Sequence, residues 1–368
     1  MPLLSLTLSL AAGACIYLML LNRYLLLIED GANKKLILRA SLVAIGLGAI
    51  LFGWFAAGTP WMLLPIGVLA AVFAGEVRQA IIRRRHAGEP PIEAANAGVS
   101  WRTPITTTDL AVYRYALTAP GWRGRDLRIV HLSDLHVNGD LSTEYYRSAL
   151  LRAAEARPDL LIYTGDLVTK VEYAAALPDV LSVAKGRLAT LAILGNHDYW
   201  AGAEQVKQAV RAAGVTLLGD NCLRLAVGGQ VLTICGYEGP WSRGTWQPPP
   251  IAPGELALML THTPDNIYRL SRLGYAAVFA GHYHAGQVRL PWLGSLVVPS
   301  RYGRRFDHGH FVVNGTHLFV SAGIGSAVPP RRVYCQPDLF IVDIKGSRFP
   351  DGDGPENGGD PAGEGHHA

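Results

Sequence analysis

The chain has 368 residues, 49% of them apolar and only 17% charged, against a usual charged share of roughly 25%; this excludes a wholly disordered chain and allows one large or two ordinary domains. The formal charge of +4 is split, with eight Lys/Arg against three Asp/Glu in residues 1–88 and one against five in residues 346–368. The middle is left mildly basic, too weakly to argue for a nucleic-acid partner.

The apolar excess lies at the start. No charged side chain occurs from Met1 to Asn22, nor from Ala40 to Gly75. A spanning helix needs about 20 apolar residues. The first run supplies one span at about 2–21. The second would measure about 54 Å as one helix, and Gly58-Thr59-Pro60 breaks it, so two further spans are expected at about 40–57 and 60–77. Arg23, Lys34, Lys35 and Arg39 precede the second span, and Arg78, Arg83, Arg84 and Arg85 close the third. Positive charge gathers on the inner side of a membrane. Residues 1–86 are therefore expected as a multi-pass segment in the inner membrane, with the rest of the chain in the cytoplasm.

Residues 87–105, with Pro90, Pro91 and Pro104, read as a linker. From 106 to 345 strands are expected at 127–132, 160–163, 189–194, 223–227, 231–237, 256–260, 276–280, 311–313, 317–321 and 339–344. Helices are expected at 143–156, 171–184 and 203–213. Strand–helix–strand units give way to β-rich segments, which argues for an α/β domain with two sheets. Cys15, Cys222, Cys235 and Cys335 form no CxxC pair or disulfide framework, so a reducing compartment is the default. Residues 346–368 are rich in Gly, Pro, Asp and Glu and read as a disordered tail.

The informative residues stand just past the strand ends. Residues 127–132 run into Ser133-Asp134-Leu135-His136, and 160–163 into Thr164-Gly165-Asp166. Residues 189–194 run into Gly195-Asn196-His197-Asp198, 256–260 into Thr261-His262, and 276–280 into Gly281-His282-Tyr283-His284. Ligand sites of α/β sheets lie beyond the carboxyl ends of strands, so these side chains can converge. One such motif would be a capped loop; five in this order are hard to explain by chance. Carboxylates mixed with imidazoles suit Mn²⁺, Fe or Zn²⁺ more than Ca²⁺.

Asp-x-His, Gly-Asp, Gly-Asn-His-Asp, a strand-end His and Gly-His-x-His resemble the calcineurin-like metallophosphoesterases over residues 125–345. Gly-His-Tyr-His-Ala-Gly-Gln-Val at 281–288 and Val-Pro-Ser-Arg-Tyr-Gly at 298–303 look like the membrane-anchored bacterial branch, with Tyr283 and Ala285 departing from its usual small or Gly residues. The resemblance implies a two-sheet β-sandwich core flanked by helices, and two divalent ions. Asp166 would bridge them. Asp134, His136 and His284 would complete one site; Asn196, His262 and His282 the other. His197 would donate to the leaving oxygen, with Asp198 holding its other ring nitrogen, although Asp198 also reads as a helix N-cap. Some members of the branch cleave the pyrophosphate of UDP-2,3-diacylglucosamine in the lipid A pathway.

Other candidates are weaker. His131 reads as a core histidine; Asp307-His308-Gly309-His310 imitates a metal pair but reads as a loop, and His317 also lies after the last motif. Arg301, Arg304 and Arg305 could bind a substrate phosphate or be a solvated face. Trp241, Trp246 and Trp292 lie in Pro/Gly-rich loops. The expected activity is a membrane-anchored, two-metal hydrolysis of a phosphodiester or pyrophosphate in a membrane lipid or lipid-linked phosphate. A tethered phosphoprotein phosphatase or general phosphodiesterase is the alternative. A nuclease lacks a basic stripe with interleaved aromatics, and an inert scaffold would have lost some of the ligands.

Overall fold

The computed structural model describes residues 2–346 apart from 30, 120, 328 and 329; the expected tail beyond 346 lies outside the described residues. Three helices open the chain: α1 (Pro2–Arg23), α2 (Ala32–Phe55) and α3 (Leu63–Arg85), the last entered through a 3-10 turn at Pro60–Met62. All three are long and apolar enough to cross a membrane. Thr59 accepts a hydrogen bond from the Trp61 amide and so starts that turn, at the Gly-Thr-Pro break in the apolar run. The helix α2 begins eight residues before the expected span. Lys34, Lys35 and Arg39 belong to its first turns, where long stems let charges reach the surface. Small residues bring α1 and α2 close, Gly53 lying against the Leu6 backbone and Gly13 against Ala49.

Fifteen strands follow among the described residues: β1 (Glu93–Ala95), β2 (Ala111–Ala119), β3 (Leu127–Leu132), β4 (Leu160–Thr164), β5 (Ala189–Ile193), β6 (Thr216–Leu217), β7 (Asn221–Val227), β8 (Gln230–Tyr237), β9 (Leu256–Thr261), β10 (Ala277–Ala280), β11 (Arg289–Leu290), β12 (Gly294–Ser295), β13 (Gly309–Val313), β14 (Thr316–Val320) and β15 (Asp338–Gly346). One sheet has the order β1-β2-β15-β3-β4-β5-β6 and the other β13-β14-β10-β9-β8-β7, with β11 and β12 a small hairpin. Both are parallel at their centres: β3, β4 and β5 run together in the first, β8, β9, β10 and β14 in the second. Parallel strands buried on both faces read as unbroken apolar runs. Leu160–Thr164 and Leu256–Thr261 are buried at every position.

The sheets pack face to face. Ile129, Leu160, Ile162, Leu191 and Ile193 from one meet Ile234, Leu258, Leu260, Phe279 and Phe319 from the other. Helices α4 (Thr143–Glu155), α5 (Leu177–Leu181) and α6 (Asn196–Ala212) cover the outer face of the first sheet through Tyr146, Leu150, Leu181, Val206 and Val210. The short α7 (Ile267–Leu270) covers part of the second. The result is the expected α/β fold with two sheets flanked by helices.

Four expectations fail. The cysteines do pair: Cys222 and Cys235 lie opposite each other in the β7–β8 register and form a disulfide. Sequence spacing alone gives no sign of it, because the pairing depends on register. The 87–105 segment is stitched to its surroundings, with β1 along β2 and Gly88 bonded to His310. The strand β2 was not expected; its alternating burial at Tyr115, Leu117 and Ala119 is masked by Arg114 and Thr118. Residues 171–184 form a 3-10 turn at Val171–Ala176 and then only α5, with Pro178 in its first turn.

Candidate metal centre

The five loops after β3, β4, β5, β9 and β10 meet at one end of the two sheets. Their tight approach explains the glycines. A Cβ on Gly281 would collide with Asp134 Oδ2, and one on Gly195 with Asp166 Oδ1. Asp134, His136, Asp166, His282 and His284 all take left-handed backbone conformations (φ 44–68°). Such strain costs about 1–3 kcal/mol per residue and gathers at functional sites.

The side chains converge in three triads: Asp134–His136–His284, His136–Asp166–His197 and Asp166–His262–His282, each with potential ligand atoms within 4.8 Å of one another. Asp166 Oδ2 lies 3.5 Å from His136 Nε2 and 3.2 Å from His262 Nε2. It therefore faces both halves of the cluster. His136 Nε2 is 3.0 Å from His284 Nε2, His284 Nε2 is 3.4 Å from Asp134 Oδ1, and His262 Nε2 is 3.1 Å from Asn196 Oδ1. The other His262 nitrogen meets the Thr164 carbonyl at 2.7 Å, which fixes the ring.

The electrostatics fit a pair of cations. Burial pushes the Asp134 carboxyl up to about 7 and that of Asp198 up to about 8, with the negative charge of Asp166 adding to both. Burial also keeps His136 neutral, down to about 3, and holds His282 and His284 well below the usual imidazole range. Against burial, the charge and hydrogen bond of Asp166 raise His262 to about 9. Burial likewise opposes ionisation of Asp166, but the imidazoles of His262, His197 and His136 outweigh it and hold its carboxyl well below its usual range. Neutral imidazoles such as His136, His282 and His284 are what a divalent ion recruits, and an ion beside Asp166 would displace the proton of His262. His282 Nε2 is buried with no hydrogen-bond partner among the described residues, an orphan that a metal would satisfy. Ions held here would polarise a phosphoryl oxygen and acidify a water.

His197, the second residue of α6, is half-buried; its amide donates to Asp166 Oδ1 at 2.8 Å, and its ring lies 4.7 Å from that of His136. Asp198 has a different place from the expected one. Its Oδ1 accepts from the Leu167 and Val168 amides and its Oδ2 from the Gly195 amide, at 2.9–3.1 Å. It ties the Gly-Asp loop to the Gly-Asn-His loop. The N-cap reading is nearer, except that the helix starts at Asn196 and bends at Gly202 (φ 135°), so residues 196–201 are its first turns.

The arginines divide. Arg304 pairs with Glu76 of α3 at 2.5 Å and Arg305 donates to Gln79 at 3.1 Å, so both face the apolar helices. The exposed Arg301 is bonded through its amide to Asp265. His131 is buried and bonded to Thr164. His308 meets Asp338 at 2.6 Å and His310 meets His317 at 2.9 Å, away from the cluster. Trp241 packs on His262 and His282, ring centroids 5.3 and 5.1 Å away; Trp246 packs near Tyr237, and Trp292 is exposed against Trp101.

Three residues near the centre were not anticipated. Trp200 lies 4.9 Å from the His197 ring, one turn along the same helix, a spacing that could have revealed it. Arg332 is fully buried and donates to the Ala322, Gly323 and Gly325 carbonyls beside His284. Glu238 accepts from the Leu194 amide and the Tyr199 hydroxyl behind the Gly-Asn-His loop. No local motif marks either.

The calcineurin-like phosphoesterase family matches residues 127–286, which include all seven expected metal ligands and His197. Residues 127–286 form a calcineurin-like phosphoesterase domain. Relatives of this phosphoesterase include an uncharacterised metallophosphoesterase, YkuE, of Bacillus subtilis, 28% identical over 66% of this chain and 86% of its own length. The phosphodiesterase YaeI of Escherichia coli is 27% identical over 59% of this chain and 82% of its own. LpxG of Chlamydia trachomatis, a UDP-2,3-diacylglucosamine pyrophosphatase, is 26% identical over 45% of this chain and 66% of its own. The phosphoesterase is a metal-dependent hydrolase.

Proposed function

We propose that the chain is a membrane-anchored, two-metal phosphoesterase that hydrolyses a phosphodiester or pyrophosphate on a lipid-linked molecule such as UDP-2,3-diacylglucosamine. The observation that carries this reading is Asp166, one carboxylate oxygen within 3.5 Å of imidazoles from both halves of the cluster. Asp166, Asp134, His136 and His284 would hold one ion; Asp166, Asn196, His262 and His282 would hold the other. The ions are Mn²⁺, Fe or Zn²⁺ by donor type. His197 protonates the leaving oxygen, and Asp198 positions it by clamping the two loops.

The three apolar helices support a substrate in the same membrane, because they are fastened to the phosphoesterase. The Asn22 carbonyl at the end of α1 accepts from the Ser300 amide at 3.2 Å. Arg83 pairs with the buried Asp307, and Glu76 with Arg304. The clustered Lys/Arg side supports a cytoplasmic catalytic domain. The disulfide argues for an oxidising side, but charge acts during insertion, before register can bring Cys222 and Cys235 together. In a reducing cytoplasm that pair would be two thiols. The name of the E. coli relative favours a second reading, a general phosphodiesterase.

The test is a substrate panel with Mn²⁺-loaded protein: bis-p-nitrophenyl phosphate, p-nitrophenyl phosphate and UDP-2,3-diacylglucosamine in vesicles. Preferred cleavage of the last supports the lipid reading. Preference for bis-p-nitrophenyl phosphate leaves a general phosphodiesterase, and preference for the monoester a phosphatase.

A further inference from the structure

Lys34, in the first turn of α2, is held by the Leu26 carbonyl at 3.2 Å with its ammonium 5.5 Å from the centre of the Trp200 ring. Trp200 in turn lies 4.9 Å from His197. A cation from the apolar helices thus reaches the catalytic centre through a single aromatic ring, on the side of the residue assigned to the leaving group. A second path leads the same way. Tyr283, between His282 and His284, is fully buried, and its hydroxyl reaches Asp265 at 2.5 Å and Ser300 at 3.0 Å. Ser300 and Val298 are bonded to Asn22 at the end of α1. The junction of α1 and α2 is thereby fastened to the centre from two sides.

We propose that this junction forms part of the active site, with Lys34 over Trp200 binding the phosphate of a departing lipid monophosphate. The inference rests on the reading of the cluster as a lipid-directed phosphoesterase and narrows its substrate to a pyrophosphate. Water adds across the anhydride: its oxygen bonds one phosphorus and the bond from that phosphorus to the bridging oxygen breaks. The bridging oxygen keeps the electron pair and takes the His197 proton. An alkoxide leaving as a neutral alcohol has no use for a second cation there; a leaving phosphate does. The acyl chains of such a product would remain in the bilayer beside α2, so the headgroup need travel no further than the first turn of the helix.

The probe is phosphatidic acid, a lipid phosphomonoester, as an inhibitor of bis-p-nitrophenyl phosphate hydrolysis by the full chain reconstituted in phosphatidylcholine vesicles. Phosphatidylglycerol at equal mole fraction controls for surface charge, and soluble glycerol 3-phosphate for free phosphate. Inhibition is read against each variant's own rate in undoped vesicles. The wild type is expected to be inhibited most by phosphatidic acid. K34A should weaken that inhibition about 10- to 100-fold, the worth of a charge-assisted hydrogen bond, and K34R should retain it. Equal inhibition of K34A and wild type, or of wild type by both lipids, would overturn the proposal. The parent reading fails separately, if the wild type leaves UDP-2,3-diacylglucosamine intact.

Discussion

His197 and Asp198 are adjacent in sequence, yet their imidazole and carboxylate serve different ends. The amide of His197 is fixed by Asp166 while its ring stands between His136 and Trp200. If His197 is the proposed proton donor to the leaving group, His197→Ala should keep both metals and lose about 10²–10⁴-fold in turnover. The loss should be smaller for a p-nitrophenolate leaving group than for an alkoxide, as rates on paired diesters would reveal. An equal loss for both would assign His197 to the phosphoryl oxygens instead. The residues that meet in the cluster were legible because polar types rarely follow the ends of five buried strands. The role of Asp198 was not, because its partners are the Leu167, Val168 and Gly195 amides, and a backbone amide leaves no trace in residue identity. Arg304 and Arg305 were misread for a related reason: their partners Glu76 and Gln79 lie more than 220 residues away.

At the scale of elements, β15 holds the first sheet together. It runs parallel to β2 and antiparallel to β3, and its Asp343 pairs with Arg114 at 2.7 Å and Arg128 at 2.7 Å across both neighbours. Burial opposes ionisation of Asp343, but hydrogen bonds from Arg128 and Arg114 win and lower its pKa. A carboxyl depressed in the folded state adds stability above its unfolded value near 4, which is lost as pH falls through the folded value. Asp343→Asn should therefore lower the denaturation midpoint at neutral pH and make little difference in strong acid. A constant difference at all pH values would mean that the ion pairs contribute nothing. The central parallel strands were legible as continuous apolar runs. The edge strands were not: β1 is exposed at all three positions, and its pairing with β2 rests on backbone hydrogen bonds and the exposed Glu93–Arg114 ion pair at 3.6 Å.

For the whole molecule, the catalytic end of the sheets and the apolar helices form one connected body through Asn22, Lys34, Glu76 and Arg83. Composition announced the helices, and the Gly-Thr-Pro break announced the turn. Their docking was hidden, because the contacts pair the end of α1 with residues near 300. The charge asymmetry favours the ends of α1 and α3 on the inner side. An alkaline phosphatase fusion after Arg85 should be inactive in a Gram-negative host and one at Thr59 active; the reverse pattern would put the domain outside, where the Cys222–Cys235 bond would persist.

The proposed centre would hold two ions that share Asp166. Metal content per chain, measured on the Mn²⁺-loaded full-length protein and its variants, tests that claim most directly. The wild type should hold two ions, His284→Ala should mainly weaken one, and Asp166→Ala should lose both together with turnover. Two ions per chain in a folded Asp166→Ala variant would contradict the shared ligand on which the account rests.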